Sequence, residues 1–241
     1  MDWHISVLAS AESTQDVLKQ RAAQGAPEGT AIQALMQTSG RGRHGNSWDS
    51  PMGNLYLSVL FRPHTPPDQT AQMAFVTALA LSRAMDEYLD VQTIHAKKLK
   101  WPNDILINGL KVSGILLETA LGDGEVTELY VGMGVNILAP PDGRAGLHAL
   151  ANKPIYVNVF RDRVLFHLGD LYECWVKEGF APIRASWLAQ AYGMGQEITV
   201  RLPEVTLTGI FQGLDDQGFL QLAQGDKVNI IRSGDVHFGK A

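Results

Sequence analysis

Cysteine is nearly absent from this chain: Cys174 is the only one in 241 residues. That excludes an internal disulfide and any zinc site built from several cysteines. Its setting, LYECWVK on a helical pattern, reads as packing rather than as a reactive thiol. No apolar run approaches the roughly 18 residues of a membrane-crossing helix. The opening MDWHISVLASAEST has neither a basic start nor a long apolar stretch of the exported type, so a reducing, cytoplasmic location and no membrane partner are expected. Basic charge is in deficit, with 20 Lys and Arg against 25 Asp and Glu and a net charge of -5. A broad nucleic-acid-binding surface is therefore not expected, and any anion site has to be local. The seven histidines show no H-x-x-x-H or H-E-x-x-H spacing and read as surface or packing residues. Both G-x-S-x-G and G-x-x-x-x-G-K-[ST] are missing, so any bound nucleotide is held without a Walker loop.

What is present is the composition of a folded chain, 45% hydrophobic and 19% charged, long enough for one large domain or a large plus a small one. HISVL reads as a strand and STQDVLKQRAAQG as a helix, capped by Ser13 or Thr14, with Val17 and Leu18 inward and Gly25 at its end. AIQALMQ and NLYLSVLF read as strands, and PPDQTAQMAFVTALALSRAMDEY as one buried helix. Asn108-Gly109 marks a hairpin within KLKWPNDILINGLKVSGILLETAL, and VTELYVGMGVNI is a further strand. From Val157 the period becomes helical, with Phe160, Val164, Leu168, Leu171 and Trp175 on one stripe, and IRASWLAQAYG is a second short helix. Beyond Gly195 come short strands, EITVRL, VTLTGIFQGL, GFLQL and KVNIIRS. The reading is an α+β domain over 1–192, then a small β-barrel or sandwich over 193–241 that does not extend the first core.

Two clusters carry candidate chemistry. GRGRHG, 40–45, satisfies the spacing of a dinucleotide-binding loop, yet it is followed by a turn and a strand, not a helix. Its glycines allow backbone amides to converge on an anion, and Arg41 and Arg43 add donor forks suited to phosphate or carboxylate. The alternative is a solvated basic turn. In KWPNDILINGLKVSG, Lys100, Asn103 and Asp104 end one strand while Lys111 and Gly114 begin the next, so they share one neighbourhood. Core packing of Trp101 and turn shaping by Asn103-Asp104 are the alternatives there.

QTSGRGRHGNSW, KWPNDILINGLKVSGILLE and YVGMGVNI, with Ser13-Thr14, resemble in order the signatures of biotin protein ligases, and the terminal SGDV resembles the family's SH3-like module. The resemblance implies a class II synthetase-like catalytic domain of biotin/lipoate ligase type, a mixed sheet flanked by helices. It implies an enzyme that uses ATP, with Mg2+, to make biotinyl-5'-AMP and passes biotin to a lysine of a biotin carboxyl carrier protein of acetyl-CoA carboxylase or a related carboxylase. About a dozen residues precede Ser13-Thr14, which resembles the monofunctional type without an N-terminal DNA-binding domain. A homodimer is among the assemblies the resemblance allows.

The same resemblance assigns residues. Arg41 and Arg43 clamp the phosphate, Lys111 meets the biotin carboxyl and α-phosphate, and Lys100 supports the phosphate side. Ser13, Thr14, Gln15 and Gln37 bind the ureido ring, with Gly42 and Gly114 also against biotin. Position 15 departs from the family's usual asparagine, which leaves ring geometry there open. Trp48 stacks on adenine, Asn103 and Asn136 meet the nucleotide, and Asp104 helps hold magnesium or assists the acceptor amine. A lipoate ligase of the same fold and a non-catalytic biotin-sensing protein are the rival readings.

Overall fold

The computed structural model describes residues 1–238, so the last three residues of the module expected over 193–241 lie outside the described chain. Strands β1 (His4–Leu8), β2 (Thr30–Ala34), β3 (Leu55–Phe61), β4 (Lys97–Lys100), β5 (Asp104–Ile107), β6 (Leu110–Gly122) and β7 (Glu125–Val135) form one mixed sheet. Its order is β1-β2-β3-β7-β6-β5-β4. Only β1 and β2 run parallel, and helix α1 (Thr14–Ala23) supplies the crossover that a parallel pair requires.

Helices cover the other face. After the short α2 (Pro67–Thr70), α3 (Gln72–Asp86) is buried almost all round, consistent with its apolar composition. A short α4 (Val91–Ala96), not expected from its sequence, starts where the Asp90 carboxylate accepts the Thr93 N–H at 2.7 Å. Beyond the brief α5 (Leu147–Leu150), helix α6 (Val157–Glu178) turns Phe160, Val164, Leu168, Leu171 and Trp175 inward as its period predicts. Helix α7 (Phe180–Leu188) starts earlier than the expected IRASWLAQAYG segment, and its Trp187 packs edge-on against Phe75 at 5.3 Å between ring centres.

The single helix expected over 66–88 is interrupted between α2 and α3. The expected hairpin is also subdivided. Pro102 has no N–H for a central ladder, so the chain turns at Trp101–Pro102, a cis bond, and β4 and β5 pair antiparallel with Lys100 opposite Asp104.

Strands β8 (Glu197–Arg201), β9 (Thr206–Leu214), β10 (Leu220–Gln224), β11 (Lys227–Ile231) and β12 (Asp235–Phe238) make a separate antiparallel sheet, ordered β11-β10-β9-β8-β12. Its core is not separate, contrary to the expectation. Phe211, Leu214, Leu220 and Leu222 join the same buried cluster as Phe75, Phe180 and Trp187. The seam is tight: the Trp101 indole donates to the Gly218 carbonyl at 3.2 Å, and a Cβ on Gly218 would stand 2.8 Å from the Phe75 ring. Among the described residues no helix is long and apolar enough to cross a membrane.

Candidate active site

The sheet face opposite α3 carries the site because register places small residues there. Directly opposite one another run Tyr56, Gly134, Gly114, Asp104 and Lys100, and in a second row Ser58, Gly132 and Leu116. Cross-strand partners share a face. Along β7, therefore, Val131, Met133 and Val135 fill the core while Gly132 and Gly134 leave the opposite side bare. A cavity of about 440 Å³ opens over this floor.

One end of the cavity is polar and largely satisfied. The Gln37 Oε1 accepts from the Thr14 N–H at 2.9 Å and the Thr14 hydroxyl at 3.2 Å, while its amide donates to Ser50 Oγ at 2.9 Å. Thr14 and Ser58 hydroxyls lie 2.7 Å apart. Ser13 occupies the N-cap position of α1 but makes no side-chain cap bond, and it lines the cavity instead. Gln15 lies beside Gly132, where a Cβ would come within 3.2 Å of its Cδ. Its amide donates toward the Tyr130 and Leu116 carbonyls, leaving Oε1 buried with no partner among the described residues. Replacing Thr14 with valine, which keeps the shape and deletes the hydroxyl, is expected to cost roughly 1 to 2 kcal/mol by leaving Ser58 underbonded. Thermal unfolding of that variant checks it.

The other end is charged. Lys111 Nζ stands 2.6 Å from Asp104 Oδ1, an ion pair in which the ammonium is poorly aligned with the carboxylate lone pairs. The same Nζ lies 5.2 Å from the Trp48 ring centre. Trp48 sits on the glycine floor, since a Cβ on Gly134 would meet its ring at 2.5 Å and one on Gly114 at 2.9 Å. Arg43 reaches Asn103 Oδ1 at 3.2 Å, the Gly234 carbonyl at 3.4 Å and Asp235 Oδ1 at 3.7 Å. Burial lowers its pKa from the usual arginine value, and burial likewise lowers that of Lys100, opposed by the neighbouring Asp104.

Of the residues singled out by sequence, Ser13, Thr14, Gln15, Gln37, Arg41, Gly42, Arg43, Trp48, Asn103, Asp104, Lys111 and Gly114 line this one cavity. Asn136 does not. It is 1% exposed, its backbone is tied to Val112 and Leu147, and its Oδ1 has no partner among the described residues. Lys100 borders the charged end from β4 without lining the cavity. Sequence reasoning missed Ser58, Arg144 and Asp235 in the lining.

The profile of the biotin/lipoate A/B protein ligase family matches residues 7–136, more than half the chain and nearly all of the cavity lining. The chain belongs to that family. The biotin protein ligase C-terminal domain matches residues 193–239. Among family members, the chain is 37% identical over 218 residues to the biotin--[acetyl-CoA-carboxylase] ligase of Paracoccus denitrificans, covering 86% of this chain and 90% of that one. It is 33% identical over 236 residues to the bifunctional ligase/repressor BirA of Bacillus subtilis, covering 94% and 71% respectively. The Aquifex aeolicus biotin protein ligase in complex with biotin and ATP superposes with a TM-score of 0.82 at 28% identity, over 97% of both chains. In these family terms, the first match holds the glycine floor and loop, and the second holds Asp235.

Proposed function

We propose that this chain is an ATP-dependent biotin protein ligase, with a catalytic part over 1–192 and a C-terminal part over 193–241. The observation that carries the reading is one cavity with a polar pocket of short hydroxyls and amides at one end and Lys111 and Arg43 at the other. A ureido ring offers one carbonyl acceptor and two N–H donors, which suits Ser13, Thr14 and Gln15 with their mix of donors and acceptors.

In the first step the biotin carboxylate oxygen bonds to the α-phosphorus of ATP, the bond to the β-phosphate breaks, and pyrophosphate leaves. Two anions must meet, and the fixed cations Lys111 and Arg43 offset that repulsion as charge develops. Glycine at 114, 132 and 134 lets Trp48, Lys111 and Gln15 lie close against the sheet around the acyl-phosphate, and the 40–48 loop shields the mixed anhydride from water. In the second step the acceptor lysine nitrogen attacks the acyl carbon, an amide forms, AMP departs, and the nitrogen loses a proton. We assign that proton to the Asp104 carboxylate, which lines the cavity.

Magnesium enters with the triphosphate. The two carboxylates that line the cavity, Asp104 and Asp235, face Lys111 and Arg43, and among the described residues no group of three metal-ligating side chains exists, so the described residues do not present a magnesium site of their own. No step is assigned to the ion.

Incubation with ATP, magnesium, biotin and an apo carrier domain, followed by mass spectrometry of its lysine, is expected to show one biotinyl addition, and none with lipoate in place of biotin. Absence of both pyrophosphate release and lysine modification overturns the reading.

A further inference from the structure

The two arginines of the glycine loop lean in opposite directions, and the cavity lies between them. Arg43 points toward Asn103 and β12. Arg41 points away, toward α1 and β6. Its two terminal nitrogens bond the two Asp16 carboxylate oxygens at 2.5 and 2.8 Å, and one of them also reaches Glu118 Oε2 at 3.4 Å. Lys19 holds the other Glu118 oxygen at 2.8 Å. The neck of the loop is closed as well: the Trp48 N–H donates to the Gly40 carbonyl at 2.8 Å and the Gly42 N–H to Asn46 at 2.7 Å.

A guanidinium whose terminal edge is filled by one carboxylate in bidentate fashion, with a further N–H on Glu118, has three of its five N–H donors engaged away from any phosphate. Releasing it would leave Asp16 and Glu118 with Lys19 as their neighbouring cation among the described residues. Asp16 follows Ser13, Thr14 and Gln15 in the first turn of α1, so the bond ties the loop to the segment that forms the polar pocket. The Arg41 contact holds the Asp16 pKa below the ordinary carboxylate value, and Asp16 raises that of Arg41.

We propose that the Arg41 side chain is a strut that seats the glycine loop on Asp16 and Glu118, retaining the acyl-adenylate, and does not itself grip the phosphate. Asp16 and Glu118 are then positioning residues for loop closure. This rests on the ligase reading above, and it departs from the phosphate role that the resemblance implies for Arg41.

The measurement is the amount of free biotinyl-adenylate that escapes into solution per carrier lysine modified. The pair is partly exposed, so each of Arg41→Ala and Asp16→Ala is expected to raise escape by about five-fold, the scale of one such ion pair. The double variant should leak no more than Arg41→Ala alone, because the two side chains act through one contact. Escape from the unmodified enzyme should rise with ionic strength, and that dependence should flatten in Arg41→Ala. A strut of purely structural importance would lower stability without this coupled, salt-sensitive leak. Should Asp16→Ala unfold, Asp16→Asn keeps the side-chain shape and serves the same cycle.

Arg41→Ala slowing pyrophosphate release while Asp16→Ala is silent would place Arg41 on the phosphate and overturn the strut. Multiplicative leakage in the double variant overturns it too. No pyrophosphate release by the unmodified chain would instead dispose of the ligase reading itself.

Discussion

Replacing Lys111 with methionine is expected to slow pyrophosphate release from biotin and ATP by about a hundred- to a thousand-fold, the usual cost of deleting one preorganised charge stabiliser. That task is the one the proposed ligase reading assigns to the ammonium. A Cβ built on Gly114 would stand 3.2 Å from Nζ and 2.9 Å from the Trp48 ring, so Lys111 and Trp48 lie side by side against the glycine strand that lines the cavity. Methionine keeps most of the stem and removes the charge. It also strips Asp104, 17% exposed, of its cation, which lowers stability by a separate route. The Lys111→Met, Asp104→Asn double variant separates the two effects: unfolding temperature should recover, and the pyrophosphate rate should not. A coupled pyrophosphate assay beside thermal unfolding reads both, and a Lys111→Met rate within about ten-fold of the parent removes Lys111 from the reaction.

Asp104→Asn alone is expected to divide the half-reactions. Transfer to the carrier lysine should fall by about a hundred-fold, in the range of a lost general base, while adenylate formation changes by less than about ten-fold. The reason lies in the acceptor. An ordinary lysine amine has a pKa near 10.4, so at neutral pH nearly all of it is ammonium with no lone pair to attack. Below that pKa the neutral fraction rises about ten-fold per pH unit, so transfer by the variant should climb steeply toward pH 10 as solvent takes over removal of the proton. Single-turnover transfer from preformed adenylate, run across pH, is the measurement. Equal losses in the two half-reactions, or a pH profile parallel to that of the parent, rules Asp104 out as the proton acceptor.

Local pattern made a large part of the molecule readable beforehand. The α6 stripe, the alternation in β3 and the Asn108-Gly109 turn are short-range signals, and the elements formed where those signals lay. The glycine loop and the Lys100–Gly114 stretch stood out because they fit no packing pattern, and they meet at one cavity. What escaped notice depends on distance along the chain. Arg41 pairs with Asp16 and Glu118, 25 and 77 positions away, and Arg43 bonds Gly234 across 191. In isolation each of those acids looks like a solvated surface charge. The shared core escaped for the same reason, because Gly218 meets Phe75 and Trp101 only once the chain has folded. Asn136 shows the limit of local pattern: it stands two positions past Gly134 but beyond the end of β7 at Val135, where strand alternation no longer sets which way a side chain faces, and it is buried outside the cavity lining.

The alternation of core and bare positions along β7 also bears on substrate range. Glycine is already the smallest residue, so no substitution at Gly114, Gly132 or Gly134 can deepen the cradle; each one can only fill it. A variant that accepts bulkier biotin analogues has to find its room in the walls, at Thr14, Ser58 or Leu116.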